Sequence, residues 1–112
     1  MGMELLGGEF LSVFYPNSED LGRSRKRHLE GIIDILPWIA RVDAFQHWAY
    51  ENEDAAADPA QCDACWAGLW QRFMKGVDWS GLDDVAMTGW QRKVHLYGYP
   101  FYYIEYGLAQ LG

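Results

Sequence analysis

The stretch Leu29-Glu-Gly-Ile-Ile-Asp-Ile-Leu-Pro-Trp-Ile-Ala-Arg-Val-Asp-Ala-Phe-Gln-His-Trp-Ala49 decides the fold class. Its apolar positions Leu29, Ile32, Ile33, Leu36, Ile39, Val42, Phe45 and Ala49 recur at intervals of three and four, the repeat of one helix face. Upstream, Pro16-Asn17-Ser18 forms a turn with a cap. Glu19 and Asp20 then place negative charge where the helix macrodipole favours it. One long helix is therefore predicted from Ser18 to about Tyr50. Pro37 lies inside it, removes a backbone donor and crowds the preceding turn, which predicts a kink or two abutting helices.

Outward from that helix the spacing stays helical. Met3 to Tyr15 carries Leu5, Leu6, Phe10, Val13 and Phe14 at helical intervals, with Gly7-Gly8 weakening its middle. Glu51 to Asp58 is acidic and small, badly placed for a helix carboxyl end, and predicts a surface loop. Asp58-Pro59 then pairs a capping carboxylate with proline in the first helical position, starting a helix that runs to about Lys75 and stops at Gly76. Cys62, Cys65, Trp66, Leu69, Trp70 and Phe73 supply its apolar face. Asp78-Trp79-Ser80-Gly81 is a linker. A short helix from Leu82 to about His95, a break at Gly98-Tyr99-Pro100 and a last helix from Phe101 to Leu111 complete the chain. No stretch alternates with the period of two that a half-buried strand requires, and nothing repeats at a fixed interval. The expected architecture is all-α, an irregular multi-helix bundle with one long kinked helix, in a single domain over 1–112.

Composition narrows the classes of function. A chain of 112 residues is too short for a second core. With 50% hydrophobic residues and 6 Trp, 7 Tyr and 5 Phe, it is far too apolar for a disordered segment. The net charge of −7 argues against nucleic acid as a partner. No apolar run approaches the ~20 residues that span a bilayer, and no secretory leader is visible. A cytoplasmic protein without a membrane partner is expected.

Local motifs name no catalyst. Cys62-Asp-Ala-Cys65 is half of a zinc site with no second pair, and it lacks the preceding strand of thioredoxin-like chemistry, so structural cysteines are the favoured reading. His47 and Glu51 are four apart on the long helix, where an ordinary side-chain contact outweighs a metal pair. Arg23, Arg25, Lys26, Arg27 and His28 could hold a phosphate but read better as a solvated face. The chain has no His-Glu-x-x-His, glycine-rich phosphate loop or Gly-x-Ser-x-Gly elbow. The informative segment is the last, His95-Leu-Tyr-Gly-Tyr-Pro-Phe-Tyr-Tyr-Ile-Glu-Tyr106, with five tyrosines in ten residues. Such a stripe reads first as core with hydroxyls reaching polar partners. It can equally present phenols and an imidazole as donors to an oxyanion, provided another group supplies the attacking water.

Several stretches together carry a family resemblance: Met3-Glu-Leu-Leu, the arginine-rich start of the long helix, Asp43-x-Phe45, Val77-Asp-Trp79, Trp90-Gln-Arg, and above all Pro100-Phe-Tyr-Tyr-Ile-Glu-Tyr106 with Ala109-Gln110. Over almost its whole length the chain resembles the carboxyl-terminal catalytic region of the oligoendopeptidase F and thimet oligopeptidase family of zinc metallopeptidases. The resemblance implies a mostly helical fold around a peptide channel. It also implies zinc held by the two histidines of His-Glu-x-x-His and a downstream glutamate, with the motif glutamate as general base. In the family that motif precedes the Met-Glu-Leu-Leu segment and would lie before Met1, which leaves Glu4 at most a neighbour of the metal site.

The resemblance therefore predicts a fragment cut at both edges, with no metal ligands, no cofactor of its own and no peptidase activity alone. It places His95 on the histidine that contacts bound peptide, and Tyr102 and Tyr106 on the tyrosines that stabilise the oxyanion. Tyr99 and Tyr103 are second, substrate-binding candidates. Short peptides are the implied partners, and a cut surface implies a homo-oligomer through exposed apolar groups. The alternative is a stand-alone helical module that binds a partner or itself without catalysis.

Overall fold

The computed structural model describes residues 7–111, and every described element is helical. A 3-10 turn at Gly7–Phe10 leads into one helical turn, α1 (Leu11–Phe14). The start of the helix expected from Met3 lies outside the described residues. α2 (Ser18–Glu51) is a single element of 34 residues. Asn17 caps it by accepting from the Asp20 backbone N–H at 2.9 Å. It runs through Pro37 without a break, so the abutting pair of helices is not what forms.

The stretch after α2 is more ordered than its charge suggested. Asn52 ends α2, its backbone and side-chain N–H groups both donating to the Trp48 carbonyl. Residues expected as a loop then make a helical turn, α3 (Glu53–Ala56). The two acids that suit a helix carboxyl end badly suit this new amino end well. α4 (Pro59–Phe73) starts as predicted, with Asp58 Oδ1 accepting from Ala60 N at 2.9 Å. Gly76, at φ +86°, turns the chain away in the left-handed region.

The single helix expected from Leu82 to His95 is three pieces instead: α5 (Asp83–Thr88), a 3-10 turn at Gly89–Arg92, and α6 (Val94–Gly98). The reason is a contact. A Cβ on Gly89 would lie 2.9 Å from Trp66 Nε1, so the backbone itself packs against that indole. The tightened turn then directs Trp90 inward, where its Nε1 donates to Asp63 at 2.7 Å. α7 (Ile104–Leu111) begins three residues later than expected, because Phe101 takes a left-handed φ of +58°. That conformation costs a non-glycine residue about 1–2 kcal/mol. It is held by the Phe101 ring against His47 and Tyr50, with centroids 5.1 and 5.0 Å away.

The core forms where α2 crosses α4. Val42, Phe45, Cys62 and Trp66 are buried, with Trp38, Trp48, Leu69, Trp90, Leu96 and Tyr103 packed around them. The Phe45 ring meets Trp66 edge-on at 5.2 Å and Trp90 at 5.8 Å. Each such buried aromatic contributes about 2–3 kcal/mol by removal from water. α7 lies on α2 at Gly107, where a Cβ would come within 3.3 Å of Ile39 Cγ2, so the missing side chain brings the helices together.

The amino half of α2 projects beyond this core. The Cα radius of gyration is 17.7 Å, against about 13 Å for a compact chain of roughly this size. Phe10, Val13, Phe14, Leu29 and Ile33 are all exposed there. Among the described residues no helix is long and apolar enough to cross a membrane.

Candidate functional site

The segment from α6 to α7 folds back on itself because Phe101 reverses the chain, and this gathers the sequence candidates. His95 is half-buried at the centre. Tyr103 meets its ring edge-on at 5.0 Å and Tyr106 at 6.0 Å, while Tyr102 lies parallel at 6.4 Å and Tyr99 tilted at 6.2 Å. Tyr106 also packs edge-on against Tyr102 and Tyr103. All five candidates thus occupy one cluster. Beside it opens a cleft of about 370 Å³ lined by Ile35, Ile39, His95, Tyr103, Tyr106 and Gln110.

The tyrosines are not equivalent. The Tyr103 hydroxyl accepts from Trp38 Nε1 at 2.8 Å. Tyr99, Tyr102 and Tyr106 are exposed, and their hydroxyls have no hydrogen-bond partner among the described residues. Tyr103 is thereby fixed in place, whereas Tyr102 and Tyr106 are not anchored; all three keep an O–H to donate.

Behind Tyr103 lies a group that the motifs did not reveal. The Arg41 guanidinium is fully buried, its Cζ 3.9, 4.0 and 4.4 Å from the ring centroids of Trp38, Trp70 and Trp66. None of its nitrogens has a hydrogen-bond partner. Three indole faces stand where a carboxylate would be expected. Burial pushes the Arg41 pKa down to about 10, a shift that nearby Tyr103 partly opposes. Lys93 Nζ also sits 4.0 Å from the Trp38 ring centroid, and its pKa is lowered by burial and then by Arg41 and Arg92. The sequence did hold a signal here, since Arg41 is the sole Lys or Arg between Glu30 and Glu51. Lys93 carried none, and Gln110 was marked only as part of the resemblance.

The other candidates form ordinary contacts. His47 lies 3.7 Å from Asp43, one helical turn back. Arg23 pairs with Glu19 and Asp20, and Lys26 with Glu30. Cys62 and Cys65 are free thiols on α4, and Cys62 Sγ donates to the Ala56 carbonyl at 3.3 Å. Burial first, then Asp63 and Asp58, raises the Cys62 pKa; burial and then Cys62 push Cys65 up to about 11. Neither is a ready nucleophile at neutral pH. Among the described residues no three His, Cys, Asp or Glu side chains gather where they could hold a metal ion, so these residues do not fit the family's zinc.

No known protein family, no curated protein and no solved structure matches the chain.

Proposed function

We propose that this chain is the peptide-facing part of an oligopeptidase of the oligoendopeptidase F type, and that the groups which activate water belong outside it. The observation that carries the reading is the convergence of His95 with Tyr99, Tyr102, Tyr103 and Tyr106 beside an apolar cleft. Tyr102 and Tyr106 supply phenolic donors to the oxygen that gains charge when a peptide carbonyl is attacked. His95, half-buried among them, contacts the peptide backbone. Tyr103 acts as a positioning residue, because the Trp38 N–H holds its oxygen in place; its O–H proton stays free to donate. In such enzymes a zinc ion supplies the activated water. The chain alone is accordingly expected to leave peptides intact.

The test uses a phosphonate pseudopeptide, whose tetrahedral anion mimics the oxyanion, beside the plain peptide of the same side chains. Tyr106→Phe and Tyr102→Phe should each weaken the phosphonate about tenfold, or ~1.4 kcal/mol, while leaving the plain peptide unchanged. Equal loss for both ligands, or for neither, overturns the assignment.

A second reading is favoured by the exposed Phe10, Val13, Phe14, Leu29 and Ile33: this band is a surface through which the chain associates with itself or with a partner domain. The two readings are compatible, since they use different residues. Neither calls for nucleic acid, which the net charge of −7 disfavours.

A further inference from the structure

The cleft beside the tyrosines does not end at Ile35. A second depression of about 350 Å³ shares Ile35 and Gln110 with it and continues over Ile32 and Gly31 to Arg27. The two form one trough between α2 and α7. Its floor is apolar because Gly31, Ile35 and Ile39 recur every fourth residue on one face of α2. At Gly31 a Cβ would meet nothing within 4 Å, so the floor there is open to a ligand's backbone. Midway along, Gln110 Oε1 is buried without a partner, an acceptor placed for an incoming N–H.

The far end carries an unused charge. In the same helical stretch Arg23 is held by Glu19 and Asp20, Lys26 by Glu30, and Arg25 reaches the Gly8 carbonyl. Arg27 lines the trough and makes no ion pair among the described residues. From Arg27 to Ile39 the helix rises ~18 Å at 1.5 Å per residue. An extended chain covers that span in about five residues.

We infer that the trough seats an extended peptide of about five residues, its apolar side chains over Gly31, Ile32 and Ile35, its backbone donating to Gln110 and its terminal carboxylate on Arg27. A chain end is favoured over an acidic side chain because the next turn of α2 presents the already paired Arg23, so the apolar floor stops at Arg27. The proposal rests on the peptide-facing reading for the nature of its occupant, and it adds which end of the ligand lies where.

The test titrates the full chain with Ac-Leu-Ala-Leu-Phe-Leu as free acid, as its carboxamide, and as a carboxamide ending in glutamate, reading the amide resonances of Gly31 and Gly107 by NMR. The free acid should bind at least fivefold more tightly than either amide and shift both resonances. Arg27→Gln, an exposed change, should abolish that preference with the circular dichroism unchanged. Equal binding of acid and carboxamide, a preference that survives Arg27→Gln, or an unmoved Gly31 resonance would each overturn the trough. A glutamate-ended amide that matches the free acid overturns the assignment to a chain terminus. A phosphonate test that fails beside an acid preference that holds sinks the oxyanion roles alone, and the reverse outcome sinks the trough alone, so the two failures are separate results.

Discussion

The Trp38 indole N–H and the Tyr103 hydroxyl, 65 residues apart in sequence, meet at 2.8 Å and tie the middle of α2 to the start of α7. Tyr103→Phe removes the acceptor and leaves a half-buried indole N–H unsatisfied, which should cost about 1–2 kcal/mol. Tyr102→Phe removes a hydroxyl that faces water and should stay within ~0.5 kcal/mol of the parent. Urea denaturation of both variants separates the positioning tyrosine from its neighbour, and equal losses would mean that the bond holds nothing.

Arg41 makes a stability prediction with an unusual sign. Its guanidinium is buried without a counter-charge, so Arg41→Met, similar in volume, should leave stability within ~1 kcal/mol of the parent or raise it. Arg41→Ala leaves a void between three indoles and should lose about 2–4 kcal/mol.

The same residue sets a pH dependence. In the fold burial lowers its pKa from the ordinary guanidinium range to about 10. Between these values the unfolded chain binds more protons, so stability rises with pH there, and the burial penalty is fully present below pH 10. The stability difference between parent and Arg41→Met should stay flat from pH 6 to about 9, then move in the parent's favour above pH 10. Thermal melts at each pH read it directly.

Two glycines should respond in opposite directions. Gly68 lies on the exposed side of α4 with nothing within 4 Å of a new Cβ. Gly68→Ala should stabilise by roughly 1 kcal/mol through helix propensity. Gly89→Ala drives a methyl to 2.9 Å from the buried Trp66 indole. It should cost about 1–3 kcal/mol by overpacking. The order of their melting temperatures is the readout.

The thiols should be slow. Cys62 is buried and Cys65 has its pKa pushed up to about 11, so both are protonated at neutral pH. Reaction with a disulfide reagent at pH 7.5 should be at least tenfold slower in the folded chain than in urea. It should accelerate steadily toward pH 11.

The fold was legible wherever a local rule decides it. The three-and-four spacing from Leu29 to Ala49 gave α2, and Asp58-Pro59 gave the start of α4, because caps and amphipathic faces are written within a few residues. The division between α5 and α6 was not legible. It depends on Gly89 touching Trp66, a contact that only the packed helices create. The cluster around His95 could be anticipated from tyrosine density, and all five named residues do meet. What sets Tyr103 apart is Trp38, which no spacing rule connects to it. Arg41 is a lone cation in an apolar stretch, a signal that the motifs passed over, and its three indoles come from two different helices.

That α2 passes Pro37 as one element has a consequence for discrimination among ligands. Arg27 and Ile39 stand on the same helix, so their separation is set within one element and not by how neighbouring parts dock. A gauge of this kind counts in whole residues: a chain one unit short of Arg27 gains nothing from it, and selectivity by length should come in steps.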